Sequence, residues 1–213
     1  MATRNEEFYI DDMVVIRVED QLFKVPQHVL TANSPVFRDM FNMPIPKDSQ
    51  PDGSSDEQPL VLEGLKASGF ARLLKCIYPF KFRPAPSKLE FSLEEWKEVL
   101  KLSASYEMTE VKAWIVKEMT PLVDHYPTLL VHLSLVYDVK PWLASGAYDL
   151  VSRAEPLTET DIKVIGPSYA AKIMSLREDR HHGHDDNKFV SQMKSPFPFN
   201  INNSTFRTRL GLL

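Results

Sequence analysis

Two short runs of β-branched and aromatic residues near the start of the chain predict a β-hairpin. The runs cover about Met13–Val18 and Leu22–Val25, and the polar triplet Glu19-Asp20-Gln21 separates them. Valine, isoleucine and phenylalanine favour strands, and a short polar break between two such runs favours a turn. We therefore expect an antiparallel strand pair at the beginning of the fold.

A Ser-Pro step interrupts the apolar pattern that follows, in the stretch VLTANSPVFRDMF at residues 29–41. Ser34 can cap a helix by accepting a hydrogen bond from a free backbone N–H, and Pro35 suits the first helical position. The new helix carries an apolar stripe at Val36, Phe37, Met40 and Phe41. The stretch predicts two short helices that meet at a corner, with Phe37 and Phe41 in the core.

The next segment alternates between a loop, a strand and a helix. Residues 42–58 lack periodicity and are rich in proline and small polar residues, so they predict a flexible loop. The apolar run at 59–64 predicts a short strand ended by Gly64. A helix capped by Ser68 is expected next, because apolar residues recur there with helical spacing, at Phe70, Leu73, Leu74 and Ile77.

A second proline-broken connection, at residues 79–91, leads into a helix with a clear start. Ser92 and Glu95 have the spacing of a capping box, and Phe91 is placed to pack against Trp96. These signals predict a helix that begins directly after Ser92.

The remaining chain predicts helices only. One helix is expected from about Thr109 to Met119, ended by Pro121. Two apolar stripes follow, one at Leu129, Leu130, Leu133, Val136 and Tyr137, the other at Leu143, Ala147, Leu150 and Val151.

The last predicted helices are short. Thr158 and Asp161 predict a capped helix that ends at Gly166, and Ser168 is the expected cap of a final helix with Ile173 and Met174. Charge and histidine dominate after Leu176, so residues 178–213 are expected to be a mostly disordered tail.

Composition narrows the class of protein. The 213 residues carry a net charge of −4, which disfavours binding to nucleic acid. No basic-then-apolar signal segment opens the chain, and its apolar runs are shorter than a membrane span requires. Cys76 is the one cysteine, so a disulfide within the chain and a multi-thiolate zinc site are excluded. An intracellular location, in the cytoplasm or nucleus, is expected.

The sequence gives only weak signals for a catalytic or metal-binding site. The stretch HHGHDD at 181–186 contains metal-ligand residue types, but it lies on a polar segment without a core to fix its geometry. The phosphate-binding and dinucleotide-binding glycine motifs and the G-x-S-x-G nucleophile motif are all missing. We interpret His28 and His132 as surface or satisfied residues, and Cys76 as a small packing residue. The chain is therefore expected to be neither an enzyme nor a cofactor-binding protein.

The stretch DQLFKVPQHVLTANSPVFRDMF (20–41) resembles the signature of BTB/POZ domains, as do FARLLKCIY (70–78) and VLKLSASYEMTEVKAWIVKEM (99–119). The matching positions in the first stretch are Phe23, Val29, Leu30, Ser34, Phe37, Met40 and Phe41. The helical stretch 128–176, with RAEPLT, is similar to the extension of many fungal proteins of this type. The chain departs from the family in having Val25-Pro26-Gln27 where many members carry Ala-His-Lys, and a long proline-rich connection after Ile77-Tyr78.

The resemblance implies an α+β fold, with a small sheet flanked by short helices and followed by an all-helical C-terminal extension. The expected divisions are an N-terminal arm at 1–10, a BTB/POZ domain at 11–120, a helical extension at 121–177 and the tail. It also implies a protein-interaction module that forms homodimers or hetero-oligomers. Further roles that it implies are adaptor for a cullin-type ubiquitin ligase and transcription-related scaffold. Two alternatives stay open: a monomeric Skp-like adaptor, and a small enzyme of unknown chemistry.

The interaction surface is expected where family dimers form, at the N-terminal segment and the first helix. The candidate residues are Phe8, Tyr9, Ile10, Asp12, Gln27 and His28. The three apolar members precede the first strand and belong to no apolar stripe of the chain, which favours a partner. Gln27 supplies no positive charge for a nearby carboxylate, and His28 or Arg38 are candidate substitutes.

Overall fold

The computed structural model describes residues 12–44, 50–78 and 89–181, and the chain divides into two compact units after Glu118. The first unit contains β1 (Met13–Val18), β2 (Gln21–Pro26), α1 (Gln27–Asn33), α2 (Pro35–Phe41), β3 (Leu60–Val61), α3 (Ala67–Ile77) and α4 (Leu93–Ser105). α5 (Thr109–Val123) crosses the division. The second unit contains α6 (Pro127–Tyr137), α7 (Lys140–Ser152), α8 (Glu159–Ile165) and α9 (Pro167–His181). The described fold is α+β and mostly helical, as expected.

The described strands form one sheet in the order β2-β1-β3. β1 and β2 pair antiparallel from Met13 opposite Pro26 to Val18 opposite Gln21, which confirms the predicted hairpin. β3 lies parallel to β1, with Ile16 opposite Leu60. The face of β1 formed by alternate residues Val14, Ile16 and Val18 is buried, as the period of a strand requires.

The corner between α1 and α2 forms as the Ser-Pro step predicts. The Ser34 hydroxyl accepts a hydrogen bond from the Phe37 amide at 3.1 Å and donates one to the Tyr106 carbonyl at 2.7 Å. Phe37 is fully buried, but Phe41 is only half-buried, so the prediction of two equivalent core residues is wrong for Phe41. Phe41 stacks on Phe37 from the side of an open groove, which explains its partial exposure.

The start of α3 differs from the prediction. The helix begins at Ala67, so Ser68 lies inside it and is not the cap. The Glu19 carboxylate, on the hairpin turn, instead accepts a hydrogen bond from the Ala67 amide at 2.9 Å. A residue 48 positions earlier therefore supplies the cap, because the sheet brings the turn to the end of the helix.

The capping box of α4 and the contact between Phe91 and Trp96 are confirmed, with ring centroids 4.9 Å apart. The expected stop at Pro121 is wrong, because α5 continues to Val123. A proline in the last turn costs one hydrogen bond, and the burial of Met119 and Val123 outweighs that loss.

The second unit has a core of its own, made by α6 to α9. Its buried members are Val131, Leu143, Ala144, Ala147, Leu150, Val151, Ile165, Ala170, Ile173 and Leu176. The stripe predicted on α6 is partly wrong, since Val136 is 55% exposed while Val131 and Ser134 are buried. Met174 on α9 is exposed as well, at 40%.

The capping box of α8, formed by Thr158 and Asp161, is confirmed. α9 begins at Pro167, so Ser168 is a helical residue and not the cap. The helix continues to His181, into the stretch expected to be disordered, and residues 182–213 lie outside the described part of the chain. None of the described helices is long and apolar enough to cross a membrane.

Candidate protein-interaction surface

The open end of the hairpin brings three of the predicted site residues together. The Gln27 amide donates a hydrogen bond to the Asp12 carbonyl at 2.7 Å, one step beyond the last strand pair. His28 follows on the first turn of α1. Asp12 and His28 are exposed and Gln27 is half-buried. We call Asp12, Gln27 and His28 the hairpin surface.

The three apolar candidates, Phe8, Tyr9 and Ile10, lie outside the described residues. They are joined to the hairpin surface by sequence alone, through Asp11 to Asp12. Their part in the interaction surface therefore stays a prediction.

The Asp12 carboxylate of the hairpin surface has no ion-pair partner within the described residues. Within residues 12–44, 50–78 and 89–181, no ion pair involves Asp12 or His28. Arg38 directs its guanidinium to the Thr31 carbonyl, at 3.0 Å. The surface therefore presents a solvated carboxylate, which a basic group from a partner could pair with.

A groove that the sequence did not predict lies beside the hairpin surface and shares Gln27 with it. Its volume is about 660 Å³. The lining combines apolar side chains with three glutamines and one aspartate, at Gln27, Met40, Phe41, Met43, Pro44, Gln50, Pro51, Asp52, Gln58 and Leu60. We call it the α2 groove. A concave surface that combines apolar side chains with polar groups can bind a partner.

The turn at residues 50–58 forms one wall of the α2 groove, and the prediction of a flexible loop is wrong for this part. The Gly53 carbonyl accepts a hydrogen bond from the Val15 amide, and the Gly53 amide donates one to Gln58, both at 2.8 Å. Gly53 is buried, with a φ of +87°. A Cβ atom at this position would lie 2.4 Å from Cγ2 of Val14. The close approach of the turn to β1 therefore requires glycine.

We expect Gly53→Ala to destabilise the first unit more than Gly64→Ala does. Both glycines have a positive φ, so each alanine carries backbone strain of about 1–2 kcal/mol. No atom lies within 4 Å of a Cβ at Gly64, whereas a Cβ at Gly53 meets a buried valine. The excess for Gly53→Ala should be about 1–2 kcal/mol in denaturant unfolding. Equal losses for the two variants would show that the turn does not pack against β1.

The surroundings of the other residues considered for catalysis or ligand binding indicate a structural role. Burial raises the pKa of the Cys76 thiol to about 12, so the reactive thiolate is disfavoured at neutral pH. Nδ1 of His132 lies 3.0 Å from the Val164 carbonyl. Trp96 and Trp142 are buried. No group of three or more metal-ligand side chains occurs in the part of the chain that the structure describes, and residues 182–186 of the histidine-rich stretch lie outside it.

Comparison with known proteins accounts for this arrangement. A family model of the BTB/POZ domain matches residues 1–120, more than half of the chain. No relative among the curated proteins matches. BTB/POZ domains are protein-interaction domains, not an enzyme family. The small sheet, the helix corner after it and the further helices all agree with the match. The chain belongs to the BTB/POZ domain family.

Proposed function

We propose that this protein self-associates through the hairpin surface and its N-terminal arm, and that it recruits other proteins through the α2 groove. The observation that carries the first part is the pairing of Asp12 with Gln27 at the open end of the hairpin. Residues 1–10 precede this end in the sequence, and their large apolar side chains Phe8, Tyr9 and Ile10 belong to no apolar stripe of the chain, which supports a partner for them.

Charge sets the strength of this association. A carboxylate that is buried without a partner is costly, so Asp12 needs a basic group from the second copy. Gln27 has no charge to offer, although it is the residue nearest to Asp12 along the hairpin end. The proposed dimer is therefore weaker than one with lysine at this position.

Sedimentation velocity at micromolar concentration tests the proposal with two chains. The full chain should sediment as a dimer, and the chain without residues 1–10 should sediment as a monomer, because the apolar arm is lost. Monomers in both cases would contradict self-association and favour the monomeric Skp-like adaptor. Dimers in both cases would contradict the role of the arm.

Gln27→Lys should tighten the dimer about tenfold, because it supplies the charge-assisted hydrogen bond that Asp12 lacks. Thr160→Lys is the matched control, since it adds the same charge at an exposed position of α8. Equal dissociation constants for the two variants would show that Asp12 is not at the interface.

The α2 groove supports recruitment of a partner protein, independently of the oligomeric state. Its methionine, phenylalanine and proline side chains suit an apolar segment, and its glutamine amides can both donate and accept hydrogen bonds from a peptide backbone. A role as adaptor for a cullin-type ubiquitin ligase, or as a transcription-related scaffold, fits such a surface in the cytoplasm or nucleus.

Co-purification from cells, repeated with Phe41→Ala and Met43→Glu, tests whether the α2 groove recruits partner proteins. Partners that stay bound to both variants would contradict use of the groove.

A further inference from the structure

The outer edge of β2 carries backbone groups that point away from the sheet. On the side of β1 away from β2, the Val15 amide donates a hydrogen bond to the Gly53 carbonyl, and the Arg17 carbonyl accepts one from the amide of Leu62, which follows β3. Val15 and Arg17 therefore direct their backbone groups away from β2. Their partners in the antiparallel register are Lys24 and Leu22. In such non-hydrogen-bonded pairs both residues point outward, so the N–H and C=O groups of Leu22 and Lys24 face the open side of β2.

Nothing in the described ranges 12–44, 50–78 and 89–181 pairs with this edge. No backbone hydrogen bond from another described segment reaches Leu22 or Lys24. Leu22 is 47% exposed, and Lys24 is exposed as well. Among the residues that the structure describes, the edge is thus a short row of unpaired backbone donors and acceptors, which can template another strand.

The side chains on the outer face of the sheet give this edge a positive charge and an apolar component. Arg17 lies between Leu22 on β2 and Val61 on β3, and Lys24 lies one row further along the same face. Neither cation forms an ion pair within the described residues. A strand added to β2 would place its side chains beside Lys24 and Leu22, within reach of an acidic residue and an apolar one.

We propose that the β2 edge binds an extended acidic segment of a partner protein by strand addition. Main-chain hydrogen bonds to Leu22 and Lys24 hold the segment, and carboxylates opposite Lys24 and near Arg17 select it. A second copy of this chain is a poor occupant, because two β2 strands would bring like charges together. The proposal goes beyond self-association and does not depend on it.

Two blocked pentapeptides test the proposal on the full chain, one of alternating glutamate and valine and one of alternating lysine and valine. The acidic peptide should bind at least about tenfold more tightly than the basic one. In amide hydrogen exchange followed by NMR, it should protect the amides of Leu22 and Lys24 selectively. Equal binding of the two peptides, or protection elsewhere only, would overturn the proposal, as would no binding at millimolar peptide.

Two variants separate the backbone from the charge contribution. Leu22→Pro removes an outward N–H that makes no bond within the described sheet, so the chain should stay folded and lose at least about tenfold in affinity. Leu22→Thr keeps the N–H and is the control for the lost leucine side chain. Lys24→Glu places a carboxylate on the face that carries Arg17, so the two charges offset each other and the preference for the acidic peptide should be lost. A Lys24→Glu chain that still prefers the acidic peptide would overturn the role assigned to this charge, whatever the oligomeric state.

Discussion

Phe37→Ala should lower the free energy of unfolding of the first unit by about 3–5 kcal/mol. The side chain is fully buried at the corner between α1 and α2. Its ring stacks on Tyr106, with centroids 4.5 Å apart, and on Phe41 at 6.1 Å. Alanine would leave a cavity beneath both rings and weaken the link between α2 and the end of α4.

Urea denaturation followed by the fluorescence of Trp96 and Trp114 measures this loss, in a Trp142→Phe background that removes the signal of the second unit. Phe41→Ala is the matched comparison, because Phe41 belongs to the same stack but is only half-buried. We expect it to cost clearly less than Phe37→Ala. If the two variants lost equal stability, or if Phe37→Ala lost under about 1 kcal/mol, the packing described at this corner would be wrong.

Asp161→Asn should destabilise the second unit by about 3 kcal/mol. The Asp161 carboxylate is almost fully buried and accepts hydrogen bonds from the hydroxyls of Thr128 and Thr158, the Thr158 amide and the Arg153 guanidinium. The Asp161 carboxylate therefore links α6, the residues that follow α7, and the start of α8. Asparagine keeps the shape but removes the charge, so it leaves Arg153 without its ionic partner.

Glu159→Gln is the control for Asp161→Asn, since Glu159 is on the same helix but its ion pair with Lys163 is fully at the surface. We expect little change in stability from it. Chemical denaturation followed by Trp142 fluorescence reports on this unit. A loss for Asp161→Asn no larger than that for Glu159→Gln would contradict the linking role of Asp161.

The pH dependence of Asp161 follows from its surroundings. Burial acts to raise the pKa of this carboxyl, but the hydrogen bonds from Thr128, Thr158 and Arg153 hold the pKa well below its ordinary value. A lowered pKa in the folded state stabilises the protein above the unfolded pKa of about 3.9 and loses that stabilisation as pH falls further. The stability difference between wild type and Asp161→Asn should be constant from neutral pH to about pH 5 and shrink below about pH 4. A constant difference down to pH 2 would contradict this.

Local signals in the sequence predicted most of the elements because their causes are local. Ser34 with Pro35, Ser92 with Glu95 and Thr158 with Asp161 each form a helix start from neighbouring residues. The incorrect predictions concern helix ends that are set by contacts with residues far away in the sequence or in the core. Glu19 caps α3 from another part of the chain, and core packing carries α5 past Pro121.

The candidate site was predictable only in part, for the same reason. Asp12 and Gln27 meet because the hairpin register brings them together, and the register follows from the strand pattern. The α2 groove depends on a turn that binds β1 through Gly53. Proline and serine in that turn indicated only a loop. The positive φ and tight approach at one glycine cannot be recognised without the structure.

Light scattering of the full chain at micromolar concentration measures directly whether the protein self-associates through the hairpin surface. We expect a molar mass of twice the 24.4 kDa of one chain, and a shift toward 24.4 kDa when residues 1–10 are removed. A molar mass of 24.4 kDa for the full chain throughout this concentration range would contradict it.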